Sequence, residues 1–236
     1  MVKILAVIPA RSGSKGVPNK NIRKLKGHSL LDWSISACRK SKFINDIFVS
    51  TDSYEYQKIS IMLGAFAPFL RPKELAADTS TDYEMVIHLL DWLSKYKSMP
   101  DLLVHIRPTT PLRDPEIIDK AINNFMKSEN KTALRSVHIM SESSFKTFKI
   151  SESGNLMPIF SEKPELDIAN NPRQMFPDTY VANGYVDVLS TDFILKSGSI
   201  HGNRVMPFKT PHSVEVDCEN DFLYLNYLVE KDPNIL

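Results

Sequence analysis

Short apolar runs alternate along this chain with amphipathic stretches. Lys3–Ile8 is a compact apolar run closed by Pro9, the pattern of a strand buried on both faces. Leu30–Cys38 carries apolar residues at 30, 31, 35 and 38, a helical spacing. Asp46–Ser50 predicts a second strand, Tyr54–Leu63 a helix and Ala65–Leu70 a short strand. In Asp82–Tyr96, Met85, Val86, Leu89, Leu90 and Leu93 fall on one helical face. Asp101–Ile106 is another buried strand, and Pro115–Met126 a helix whose proline sits near the start, where its missing N–H costs nothing. Ala133–His138 and Tyr185–Leu189 continue the strands, Val214–Asp217 is expected to be the last short one, and Asp221–Glu230 a closing helix.

This rhythm predicts an α/β fold with a doubly wound, mostly parallel sheet. Ligands of such sheets lie outside the carboxyl ends of the strands. Arg11–Lys20, Thr51-Asp52 and Arg107–Arg113 are therefore expected around one crevice. The rhythm breaks over residues 141–180, which are rich in Ser, Pro and Asn. That is too long for an idle loop, so the excursion is expected to be functional, a dimerisation arm, or both. With no linker or internal repeat, residues 1–236 are expected to form one domain carrying this arm.

With 42% apolar and 24% charged residues, a sizeable core is affordable, and a net charge of +1 argues against nucleic acid or a membrane surface as partner. No stretch approaches the ~20 apolar residues of a membrane span, and the opening run is short for a secretion signal. Cys38 and Cys218 form no C-x-x-C pair, which suits reduced thiols in a cytoplasmic protein. The six histidines show no metal-ligand spacing, and no G-x-S-x-G elbow is present.

The chemistry is concentrated directly after the first strand, in Ala10-Arg-Ser-Gly-Ser-Lys-Gly16. A triphosphate needs backbone N–H groups that approach closely and cations held in place. Gly13 and Gly16 allow the approach; Arg11 and Lys15 supply charge, with Lys20 and Arg23 in reserve. Ser12 and Ser14 are candidate phosphate contacts. The spacing is neither a Walker motif nor G-x-G-x-x-G.

The longer string Ile8-Pro-Ala-Arg-Ser-Gly-Ser-Lys-Gly-Val-Pro-Asn-Lys-Asn21 resembles the opening motif of the N-acylneuraminate cytidylyltransferases. The resemblance recurs, in family order, in Val49-Ser-Thr-Asp52, Leu70-Arg-Pro-Lys-Glu-Leu-Ala-Ala-Asp78 and Arg107-Pro-Thr-Thr-Pro-Leu-Arg113. It continues in Pro172-Arg-Gln174, Asn183-Gly184 and Val214-Glu-Val-Asp217. It implies a Rossmann-like fold of the nucleotide-diphospho-sugar transferase type. It also implies a homodimer acting on CTP, with Mg²⁺ as cofactor.

By the same resemblance, Arg11, Lys15 and Asn21 would bind the triphosphate. Arg71 would contact the nucleoside, with Thr79, Ser80 and Thr81 nearby. Asp217 and Glu215 would carry Mg²⁺, although the family has Asp-x-Asp where this chain has Glu215-Val-Asp217. Strand alternation puts both carboxylates on one side. Lys146 matches a lysine of the arm that reaches the neighbouring subunit's active site, and Arg173, Gln174, Tyr180 and Asn183 match the segment lining the sugar-acid pocket. Arg107 stands where the family usually has Gln, and is expected to face substrate with its planar fork.

The expected reaction is attack of a sugar acid's anomeric hydroxyl on the α-phosphate of CTP, with Arg11, Lys15 and Asp217 as the catalytic set. Other sugar acids (legionaminic, pseudaminic, deoxyoctulosonic) or another nucleotide fit the same motifs. A glycosyltransferase on this fold and a non-catalytic nucleotide-binding or assembly protein are readings of other classes.

Overall fold

In the computed structural model, which describes residues 2–160 and 166–232, the first strand lies inside a six-stranded sheet. Strand β1 (Ile4–Pro9) is followed by the small pair β2 (Lys24–Leu25) and β3 (His28–Ser29), then α1 (Leu30–Lys40), β4 (Asp46–Ser50) and α2 (Tyr54–Met62). Next come α3 (Asp82–Tyr96), β5 (Leu102–His105), α4 (Pro115–Met126) and β6 (Ala133–Ile139). A hairpin, β7 (Phe148–Ile150) and β8 (Leu156–Pro158), precedes β9 (Tyr180–Ser190), α5 (Thr191–Ser197), β10 (Val205–Lys209) and α6 (Glu219–Lys231). The order across the sheet is β10-β6-β9-β5-β1-β4. Every pairing is parallel except those of β9, which runs antiparallel to β5 and β6.

The alternation of β1 explains why helices cover both faces. Ile4, Ala6 and Ile8 pack on one side with Leu31, Ile35, Ile118 and Ile122 of α1 and α4. Leu5 and Val7 pack on the other with Met85, Val86 and Leu89 of α3 and Ile194 of α5. Helix starts are set by local caps. Ser29 accepts the Asp32 N–H, Ser53 that of Tyr56 and Asp114 that of Glu116, each satisfying a donor the helix leaves open.

A third apolar cluster bears directly on the site. Val17 from the loop after β1 and Val216 from the segment before α6 are fully buried with Leu25, Leu30, Phe222 and Leu225. Burying one such side chain contributes roughly 1.5–3 kcal/mol. Val17 and Val216 thus hold two distant stretches of chain together at the carboxyl end of the sheet.

The expected mostly parallel, doubly wound sheet is present, with four local corrections. Val214–Asp217 joins no strand; its tie is the Val216 N–H donating to Thr109 O at 2.7 Å. The outer strand is β10 instead, and Pro207 within it suits an edge position, where a missing donor is tolerated. Ala65–Leu70 makes only an isolated bridge, Phe66 to Phe48, beyond which Pro68 cannot extend a ladder. The strand expected at Tyr185–Leu189 begins at Tyr180.

The 141–180 excursion leaves after β6 and returns along β9. It contains the β7–β8 hairpin and an aromatic centre of its own, Phe145 with Phe176 and Phe160 at ring-centroid distances of 5.7 and 5.1 Å. Residues 161–165 of that stretch, like Met1 and 233–236 of the expected 1–236 domain, lie outside the described residues. Among the described residues, no helix is long and apolar enough to cross a membrane.

Candidate active site

A cavity of about 420 Å³ opens at the carboxyl ends of β1 and β5, where the fold leads one to look. One wall is the loop after β1, through Arg11, Ser14, Lys15 and Gly16, with Lys20 and Asn21 at its end. The opposite wall is the stretch from Arg71 to Asp82. Arg107-Pro108-Thr109 lies at its back, and Glu215 and Asp217 close it.

The loop is fastened from beneath. Ser12 gives both its backbone N–H and its hydroxyl to the Asp52 carboxylate, at 2.8 and 3.0 Å. Asn21 is buried and donates its amide to Arg11 O at 3.0 Å. Gly16 is needed for close approach: a Cβ there would stand 2.0 Å from the Asp217 carbonyl oxygen. Lys20 crosses the same junction, donating to Val216 O at 2.6 Å and standing 3.3 Å from Asp217 Oδ1. The cation loop and the carboxylate segment therefore share one edge of the cavity.

Arg11 and Lys15 reach across to the opposite wall. Arg11 Nη1 donates to Asp78 Oδ1 at 2.8 Å, and Lys15 Nζ pairs with the other oxygen of the same carboxylate. Their hydrogen bonds hold the Asp78 carboxyl below the usual carboxylate range.

Arg71 is buried, not an arginine lying along the surface. Its Nη2 donates to Ser50 O at 3.2 Å, while its Nε is buried without a hydrogen bond. Ser80 and Thr81 line the cavity; Thr79 does not. Thr81 also starts α3 through a capping box with Glu84, its N–H donating to Glu84 Oε2 at 2.7 Å. The Thr81-Asp-Tyr-Glu84 spacing is a sequence signature of that box.

Arg107 lines the cavity, but its fork is already engaged. Nη2 donates to Asp82 Oδ2 at 2.7 Å and Nη1 to Asp187 Oδ2 at 3.2 Å. Asp187, on β9, is almost wholly buried; its cross-strand partners are His105 on β5 and Arg135 on β6. Burial alone would raise the Asp187 carboxyl. The His201 hydrogen bond and the charges of Arg107 and Arg135 instead hold it below the usual range. His105 is fully buried 3.9 Å from both Asp82 and Asp187, and neither ring nitrogen has a hydrogen bond. Burial, reinforced by Arg107, pushes the imidazole down to about 4, so it is neutral at physiological pH. Sequence reasoning missed this network, since Asp187 and His105 sit inside apolar strand runs with no motif around them.

Arg113 braces the back wall. Fully buried, it donates to the carbonyls of Tyr185, Arg107 and Gly184 at 2.6, 2.5 and 2.9 Å. Burial lowers it to about 10, which still leaves it charged near neutral pH.

The structure does not bring all predicted site residues together. Lys146 lies in a 3-10 turn of the excursion, away from the cavity lining. Arg173 donates to Ser141 O and Met140 O at 2.8 and 2.7 Å, tying the excursion to its own root. Gln174 is exposed beside it, and Tyr180 accepts from Lys209 Nζ at 2.5 Å. Asn183 is buried and bound to Thr210 Oγ1 at 2.6 Å. Ser12 and Gly13 belong to the loop but do not line the cavity.

Among the described residues, no group of three or more His, Cys, Asp or Glu could hold a metal by itself. Of the four carboxylates that line the cavity, Asp78 and Asp82 are engaged by arginine or lysine, and Glu215 and Asp217 stand together at its closing edge. Asp217 is largely exposed, and Glu215 accepts from Thr109 Oγ1 at 2.8 Å. Val216 between them is fully buried, while Glu215 and Asp217 both line the cavity. A pair of hard oxygen donors completed by water and phosphate oxygens suits Mg²⁺.

The sequence model of a family described as cytidylyltransferase matches residues 5–156. The CMP-N,N'-diacetyllegionaminic acid synthase of Legionella pneumophila is 32% identical over 246 residues, spanning 100% of both chains. The N-acylneuraminate cytidylyltransferase of Escherichia coli O18:K1:H7 is 38% identical over 135 residues, 57% of this chain and 31% of that one. A solved CMP:2-keto-3-deoxy-manno-octonic acid synthetase complexed with CTP superposes with a TM-score of 0.70 at 13% identity, covering 98% of this chain and 99% of that one, which shows a shared fold. The family match runs through the cation loop, Arg71–Asp82 and Arg107–Arg113, three of the four walls just described, and the chain belongs to the cytidylyltransferase family, whose members are nucleotidylyltransferases.

Proposed function

We propose that this protein joins CMP from CTP to the anomeric hydroxyl of a sialic-acid-like nonulosonic acid, releasing pyrophosphate. One observation carries the reading: the cation loop and the Glu215/Asp217 pair meet at one cavity edge, through Gly16 against Asp217. A triphosphate there has cations for its tail and carboxylates able to share a metal with it. Arg11 and Lys15 balance the charge that grows on departing pyrophosphate. Asn21 and Asp52 keep the loop backbone in place, which is the positioning such a transfer depends on. Arg71 and the Ser80–Thr81 corner form the nucleoside end. Asp217, with Glu215, would hold Mg²⁺, which supplies further charge neutralisation on the phosphates when bound. The sugar acid enters from the side of Arg107 and Thr109.

Within the nonulosonic acids, legionaminic-type substrates form a second reading. The Legionella relative named for such an acid aligns over the whole chain. We further propose a cytoplasmic homodimer in which the 141–180 excursion meets its copy. Ile150, Phe160 and Met175 leave 75%, 59% and 68% of their surface exposed there, apolar area that a second copy of the excursion would cover. Sialic, legionaminic, pseudaminic and deoxyoctulosonic acids, each supplied with CTP and Mg²⁺ and read by pyrophosphate release, test the assignment. Turnover of a nonulosonic acid is expected, and pyrophosphate release with none of the sialic, legionaminic and pseudaminic acids defeats it.

A further inference from the structure

Asp78 has no part in the reaction above, yet it holds both of the cations to which that reaction assigns the triphosphate. Its two carboxylate oxygens are shared between them, one to Arg11 at 2.8 Å and one to Lys15. The carboxylate belongs to the facing wall, 67 residues from Arg11 in sequence. That wall is a strap fixed at both ends. Arg71 is buried at its start, and Asp82 is tied to Arg107 at its finish. Between them runs one 3-10 turn, Lys73–Leu75, with Ser80 Oγ donating back to Glu74 O at 2.9 Å.

We propose that Asp78 is an internal competitor for the nucleotide's phosphates: its carboxylate holds the anion seat between Arg11 and Lys15 and must be displaced when a polyphosphate binds. The inference rests on the reading of the loop as a triphosphate site and adds a residue that sets which anions can enter it. The Lys15 side chain is 81% exposed and that of Asp78 44%, so these ion pairs are solvent-screened and weak. A single carboxylate therefore yields to a polyphosphate, which brings several charges to the same two cations. A singly or doubly charged small anion gains much less by displacing it. After transfer, return of Asp78 to Arg11 and Lys15 competes with pyrophosphate and favours its departure.

The test is calorimetric titration of the whole protein with pyrophosphate in the presence of EDTA, which removes the metal from the comparison. Asp78→Asn is expected to bind pyrophosphate roughly threefold to tenfold tighter than the wild type, the scale set by losing two exposed ion pairs. Structural damage would weaken binding, so the direction of the change is diagnostic. Glu74→Gln, which removes a carboxylate from the same strap without an ion pair to the loop, is expected to leave affinity unchanged. Equal or weaker binding by Asp78→Asn overturns the proposal, as does an equal gain in Glu74→Gln. If Lys15→Met lowers affinity while Asp78→Asn changes nothing, the triphosphate reading stands and this inference alone fails. If Lys15→Met binds pyrophosphate as the wild type does, the loop reading itself fails, and the inference with it.

Discussion

The backbone of Gly16 packs against the carbonyl of Asp217, so closely that a methyl group on Gly16 would sit 2.0 Å from that oxygen. Some two hundred residues of chain separate the pair, yet their contact sets the distance between the loop cations and the acidic segment. Gly16→Ala must push the two apart, because the obstacle is backbone and cannot swing away. We expect kcat/KM for CTP to fall by about 10²-fold, the cost of a displacement near 1 Å in a positioned site. Steady-state kinetics alongside a thermal melt check this. Wild-type kinetics in Gly16→Ala would show that the contact does not position the site.

Lys15 is mostly exposed, so its removal tests chemistry without disturbing packing. Lys15→Ala is expected to lower turnover about 10²- to 10³-fold, comparable to losing one electrostatic donor to a transition state, with an unchanged circular dichroism spectrum.

Asp217→Asn keeps size and removes charge at the proposed metal position. The Mg²⁺ concentration for half-maximal activity should rise severalfold, or activity should vanish. An unaltered metal titration would count against metal binding at Asp217.

Arg107 lies between Asp82 and the buried Asp187. Arg107→Gln strands the Asp187 charge in the sheet and is expected to lower stability by about 3 kcal/mol in urea unfolding. Adding Asp187→Asn should recover much of that loss, because it removes a buried charge left with only His201 and Arg135 to balance it. Independent, additive losses would mean that the two residues are not coupled.

His105 makes stability depend on pH in a defined direction. Its imidazole titrates at about 4 when folded against an ordinary 6.5, so the unfolded chain binds the proton more readily. The stability gained by keeping it neutral is complete above pH 6.5 and is lost as pH falls towards about 4, by about 3 kcal/mol at most. Asp82 and Asp187, held below the ordinary carboxylate value of 3.8, lose their share in a lower window. Urea midpoints at pH 7, 5.5 and 4.5 should fall in wild type and fall less in His105→Gln, where His88 and His138, also lowered by burial, still contribute. Identical curves would remove His105 as the source.

How the chain is laid out was open to reading from its amino acids. Alternating apolar runs and helical faces depend on neighbours a few residues apart, so β1, β4, β5, α3 and α4 follow from local periodicity. The glycines and cations after β1 mark the phosphate loop in the same local way. Strand direction is not local: β9 reads as a buried run whether it pairs parallel or antiparallel, and only the sheet made it antiparallel. The 141–180 excursion hid a hairpin because short, half-exposed strands leave little periodicity.

Charge partnership was beyond the sequence altogether. Arg11, Lys15 and Arg107 are visible as candidate ligand contacts, but their engagement with Asp78, Asp82 and Asp187 is a matter of distance. The amino acids by themselves determined a doubly wound sheet with a cationic loop at its carboxyl edge. The tertiary structure decided which carboxylates meet those cations, because Coulomb interactions fall with separation in space and take no account of separation along the chain.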